Sequence, residues 1–257
     1  MKRLIKAQVY QMCRKKSTAG VYLGILGMLL FELISEMRIF GGKLTADDFF
    51  LSFQSVIMSF SFIVAFWYAA EICVGDFSDR TVNYEVMGGY TRKKVYFSRV
   101  LLGLASGTLT VVSMWCILVG VAVAYGGWGN QVGLSQMVAR WLLMLFPFWR
   151  ILCEFIFFSF LVKNVYVVMA VGTVIALMSD GLSSMHCFSY ALGFTNLYRL
   201  SHMLYFGVYT MSDNRSYYLY DATLTTGEVF GTIGASVGFG LLFLLLGYVY
   251  FLKDDLR

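Results

Sequence analysis

Six apolar stretches separated by shorter polar intervals make up most of the chain: residues 19–40, 51–73, 98–124, 137–161, 165–181 and 228–252. A helix crosses a hydrocarbon core of about 30 Å with about 20 mostly apolar residues, so each stretch predicts a transmembrane helix. The fourth carries Pro147, the chain's one proline, which kinks a span without preventing insertion. The fifth is short and ends at Asp180-Gly181. Between the spans, residues 41–50 and the glycine-rich 125–136 predict short turns, and 162–164 a tight one. The long interval 182–227 is rich in tyrosine and predicts a re-entrant or interfacial pair of short helices at headgroup depth. Residues 1–18 predict an amphipathic, basic interfacial helix. The expected fold is all-α: one transmembrane domain over residues 1–257, with six spans.

Composition agrees with this reading. The chain is 59% hydrophobic and 14% charged, with a mean hydropathy of +0.70, whereas soluble domains carry about 25% charged residues. The N-terminus has a basic start but no signal-length apolar core before its second basic cluster, so it is expected to be a leader into the first span, not a cleaved signal. The five cysteines are odd in number, scattered and without CxxC spacing, which fits small apolar packing residues.

Lys and Arg are distributed unevenly across these spans. One side collects fourteen: Lys2, Arg3, Lys6, Arg14, Lys15, Lys16, Arg80, Arg92, Lys93, Lys94, Arg99, Lys163, Lys253 and Arg257. The other side has five: Arg38, Lys43, Arg140, Arg199 and Arg215. By the positive-inside rule the first side is cytoplasmic. Both termini and the interval 74–97 are therefore expected in the cytoplasm, with the chain multi-pass in the cell membrane.

That interval holds the most polar passage, DFSDRTVNYEVMGGYTRKK over residues 76–94. Ser78 is placed to cap a short helix, with Asp79 in its first turn favourable to the helix dipole. Val82 and Val86 fall on one face at i, i+4. Gly88-Gly89 supplies the left-handed C-cap, and Thr91 is placed to cap the next helix. Arg92, Lys93, Lys94 and Arg99 are expected to anchor that helix at the anionic inner leaflet. A stubby helix tied by both ends to membrane spans would act as a lever; the alternative is a loop that only sets topology.

Glu71, the segment Asp76 to Thr81, the Gly88-Gly89 turn and Thr91-Arg92 together resemble the region between the second and third spans of type-2 ABC exporter permeases. The six spans, the N-terminal helix and the long outer segment are similar to the same family, and most of all to the small permeases of antimicrobial-peptide export and immunity systems. The resemblance implies a cytoplasmic coupling helix docked on a separate ATPase, with Asp76, Ser78, Asp79, Arg80, Thr81, Val82, Glu85 and Val86 making the contact. Two ATPase copies and a second permease subunit, identical or related, are implied as partners within the lipid bilayer. ATP and Mg would sit on the ATPase and no cofactor on this chain. No nucleic-acid partner is expected. The sequence has no G-x-x-x-x-G-K-[ST] pattern, the nearest being Gly41-Gly42-Lys43-Leu44, and no catalytic motif, so no enzymatic activity is expected of the chain itself.

Ionisable residues inside spans are costly and therefore candidates for function. Glu32 lies in the outer half of the first span, about 22 Å from its inner end at 1.5 Å per residue, with Glu36 one turn further. These two would line an outward-facing cavity, or pair with water and Arg38. Arg150 and Glu154 stand at i, i+4 in the fourth span, where they could form an internal ion pair or border a transport path. Asp180 closes the fifth span. Gly227, Gly231, Gly234 and Gly238 form a stripe on one face of the last span, which invites close helix packing within the chain or between subunits. The same charges leave open an ion-gradient-driven secondary transporter or channel, using Glu32 or the Arg150–Glu154 pair.

Overall fold

A computed structural model describes residues 2–39, 45–46, 54–74, 87–129, 133–171, 174, 206–210, 216–220 and 226–253. Its helices are α1 (Lys2–Arg14), α2 (Lys16–Ile39), α3 (Gln54–Cys73), α4 (Arg92–Gly126), α5 (Leu134–Val162) and α6 (Thr226–Lys253). Strands β1 (Phe206–Thr210) and β2 (Ser216–Tyr220) precede α6. Among the described residues, four helices are long and apolar enough to cross a membrane: α2 over Lys16–Ser35, α4, α5 over Met137–Val162 and α6 over Val229–Lys253. They match the first, third, fourth and sixth expected spans. The second expected span falls on α3, whose apolar helical stretch is Ile63–Cys73. Residues 165–171 of the fifth are helical; 172–173 and 175–181 lie outside the described residues.

Helix α5 is the hub and packs on α3, α4 and α6. Phe148, Ile151, Leu152, Phe155, Ile156 and Phe160 are all buried along it, and α5 continues through Pro147. Lipid tails are as apolar as leucine, so such contacts are held by close packing more than by exclusion of water. Glycine makes that closeness possible on α4. A Cβ at Gly107 would stand 3.0 Å from Leu152 Cδ2, and one at Gly103 3.3 Å from Ile156 Cδ1. Phe66 of α3 meets Phe155 edge-on at 6.0 Å.

The contacts also give the helix directions. Arg150 lies against Gly240 and Phe157 against Gly247, while Phe160 meets Phe251; α5 and α6 are therefore parallel. Trp149 bonds Thr108 and Phe160 meets Tyr96, so α4 runs antiparallel to both. Consequently α5 ends and α6 begins at opposite ends of the bundle. At α5's C-terminus Lys163 takes the left-handed conformation, and the side chain of Asn164 accepts the amides of Tyr166 and Val167 at 3.0 and 3.3 Å. This is the tight turn expected at 162–164. At the other end of the bundle, the amide of Ala46 donates to Gly127 O at 3.0 Å, drawing together the two intervals read as outer turns.

Within 182–227 the described residues 206–210 and 216–220 are strands where short helices were expected, and the other residues up to 225 lie outside those described. β1 and β2 form an antiparallel hairpin, with Phe206 opposite Tyr220 and Thr210 opposite Ser216. Valine, threonine and tyrosine favour extended backbone, and these residues dominate both strands; the tyrosines that suggested headgroup depth are also good strand formers.

Candidate functional site

The residues at the basic end of the bundle hold the two edges of the polar interval. On the near edge, α3 ends at Cys73. Its last carbonyls have no partner within the helix, and Arg99, fully buried on α4, donates from Nη1 to Cys73 O at 3.5 Å. A cation at a helix C-terminus also meets the negative end of the dipole. Two residues before that terminus, Glu71 pairs with Lys15, Nζ to Oε1 3.0 Å. Lys15 sits at the break between α1 and α2, and α1 turns the stripe Leu4, Gln8 and Met12 inward.

On the far edge, Gly89 has φ +87°, the left-handed conformation expected of a glycine that closes a turn. Thr91 occupies the N-cap of α4 in extended conformation but makes no side-chain cap hydrogen bond, so the expected threonine cap is not formed. Position alone makes Thr91 the boundary. Arg92 donates from Nη1 to Leu252 O at 3.1 Å, near the end of α6. Tyr96, one turn on, donates to Leu244 O at 2.7 Å. Its ring stacks with Phe160 and Phe251 at centroid distances of 5.0 and 5.8 Å.

Arg92, Tyr96 and Arg99 thus bind the start of α4 to the ends of α3 and α6. Charge alone makes both arginines leaflet anchors, whereas each donates to a backbone carbonyl of a neighbouring helix. Their spacing carried the other message: i, i+4 and i+7 lie on one helical face, the face that continues through Gly103 and Gly107 into the core. Lys15, Arg92, Arg99, Lys163 and Lys253 all fall at this end.

The eight coupling candidates Asp76, Ser78, Asp79, Arg80, Thr81, Val82, Glu85 and Val86 lie outside the described residues, as does Asp180. Glu36 belongs to α2, but its side chain lies outside them too. Glu32 is exposed, at the border of the buried stripe Ile25, Leu29 and Leu33 on α2. Arg150 and Glu154 are both buried, at 1% and 7% exposure. The expected hydrogen-bonded pairing between them is not made, because all three guanidinium nitrogens of Arg150 lack a hydrogen-bond partner. The two charges still attract each other one turn apart on the same helix, without a hydrogen bond between them.

The described residues do not supply a partner for the glycine stripe of the last span, which was expected to pack within the chain or between subunits. Among the described residues, nothing lies within 4 Å of a Cβ at Gly227, Gly231, Gly234 or Gly238. The close approaches of α6 are at Gly240 and Gly247 instead: a Cβ at Gly247 would stand 2.9 Å from the Tyr96 hydroxyl.

Comparison with known proteins adds no family: no protein-family model matches the chain, and no curated protein matches it.

Proposed function

We propose that the chain is the membrane-spanning subunit of an ATP-driven exporter of the type-2 ABC class, with six spans and both termini in the cytoplasm. A separate ATPase would supply the energy. The observation that carries this reading is the bracing of both edges of residues 75–86. Lys15–Glu71 and Arg99–Cys73 hold the near edge; the Gly89 turn and Arg92–Leu252 hold the far one. A loop that only set topology would have no use for such bracing. A short segment that receives a push and passes it to α2, α3, α4 and α6 needs it.

Two further features support a second permease subunit. Glu32 is exposed at the border of α2's buried stripe, where, within a membrane, an acid requires a partner or a water-filled cavity outside its own helix. The open glycine stripe of α6 is a surface on which another helix could approach closely. The cargo would be amphipathic or hydrophobic, a peptide, an antibiotic or a lipid, since the exposed residues around Glu32 are Met28, Phe31 and Ile34.

The test is purification from native membranes through a tag on this chain. An ATPase should co-purify, and charge reversal at Arg80 or Glu85 should abolish ATP hydrolysis by the complex. Uptake driven by a proton gradient in ATP-free proteoliposomes would instead favour a secondary transporter using Arg150 and Glu154.

A further inference from the structure

A groove of about 690 Å³ opens sideways between α4, α5 and α6, away from Glu32 and from the braced interval. Its rim is apolar and exposed, including Leu101, Leu109 and Leu241. Its volume falls in the range of about 300–1,000 Å³ typical of small-molecule sites. The floor is different in kind. Arg150 and Ser236 border it, both almost fully buried, and neither the guanidinium nitrogens nor Ser236 Oγ has a hydrogen-bond partner. Beside them Trp149 Nε1 donates to Thr108 Oγ1 at 2.7 Å, so that polar pair is satisfied. Gly240 lines the floor as well, close to Arg150 and Cys153.

A guanidinium in a membrane interior is costly unless an acceptor meets it. Glu154, one turn away, attracts it but makes no hydrogen bond to it, so its donors still lack an acceptor. We infer that the groove binds a long-chain carboxylate amphiphile entering from the bilayer, its apolar chain along α4 and α6 and its carboxylate on Arg150 and Ser236. The planar fork of arginine matches a carboxylate with two parallel hydrogen bonds. Depth selects the small headgroup: Arg150 is twelve residues before the end of α5, about 18 Å along the axis at 1.5 Å per residue, too deep for a phospholipid headgroup to remain hydrated. The guanidinium nitrogens are enclosed in the structure, so binding requires the Arg150 side chain to turn into the groove. The site requires membrane insertion but no ATPase, and it stands or falls independently of the exporter reading.

Trp149 lines the groove and serves as the reporter. The full chain in zwitterionic nanodiscs is titrated with a brominated long-chain fatty acid, its methyl ester and a brominated anionic phospholipid. The signal of the Trp149→Phe variant is subtracted to remove the other tryptophans. The acid should quench Trp149 saturably and at least about tenfold more tightly than the ester, as loss of a charge-assisted pair implies. Arg150→Gln should bring the acid to the ester's level, Arg150→Lys should keep part of the preference, and Ala105→Phe should weaken both ligands by filling the groove. Equal quenching by acid and ester in the folded wild-type chain overturns the inference, as does stronger quenching by the phospholipid. Protection of Trp149 that grows with protein concentration also overturns it, because a second copy would then cover the groove.

Discussion

Helices α5 and α6 lie parallel and in contact, and both are long and largely apolar, yet they play opposite parts. In the apolar stretch of α5 long enough to cross a membrane 67% is buried among the described residues; in that of α6 the figure is 17%. Among the described residues, helix α5 is enclosed by α3, α4 and α6, whereas α6 is covered along one edge only. Hydropathy cannot separate the two, because lipid and protein interior are equally apolar. The position of small residues separates them better. Glycines that meet a neighbour, Gly103 and Gly107 on α4 with Gly240 and Gly247 on α6, mark the internal seams. The longer glycine stripe, Gly227 to Gly238, lies off the seam.

The largest effect that tests this contrast is expected at Gly107. A leucine there drives into Leu152 and Phe148, and overpacking should destabilise the chain by about 3 kcal/mol, the upper part of the usual range. A thermal melt in detergent would measure it, and a loss below about 0.5 kcal/mol would mean that α4 and α5 do not meet closely there.

Next comes Arg99→Leu, which removes the cation from the end of α3. A hydrogen bond from a charged group contributes about 1.5–3 kcal/mol, and the melt should fall accordingly. Hydrogen exchange should rise most in the amides around Glu71 to Val74.

Tyr96→Phe should cost about 1 kcal/mol, one buried hydrogen bond, because the stacking with Phe160 and Phe251 survives. Smallest of all, Gly234→Leu should leave the fold within about 0.5 kcal/mol, and any larger consequence should appear in association between subunits. A Gly234 effect equal to that of Gly107 would erase the distinction between seam and open surface.

Much of the architecture was legible in the sequence. Spans one, three, four and six follow from length and hydropathy, and the glycine turn at Gly89 and the reversal at Lys163-Asn164 follow from local chemistry. Side-chain destinations were less legible. Arg92 and Arg99 carry the same charge as Lys93 and Lys94, and only helical phase sends them inward to carbonyl groups on α3 and α6. Arg150 and Glu154 have the spacing of an ion pair, but a helix sets where side chains begin and not where they end. Lys15 and Glu71 lie 56 positions apart, so no local pattern joins them. The hairpin before α6 was hidden because tyrosine serves a membrane interface and a β-strand equally well.

The central claim, that braced residues 75–86 transmit the work of an ATPase, is tested most directly through Lys15 and Glu71. Cargo-stimulated ATP hydrolysis would be measured for the complex purified from native membranes, with each charge reversed singly and with the two exchanged. The account predicts that Lys15→Glu and Glu71→Lys each lower the stimulation several-fold while the protein stays folded, and that the exchanged pair restores most of it. Single reversals that leave the stimulation intact, or a folded chain that purifies with no ATP hydrolysis, would contradict it.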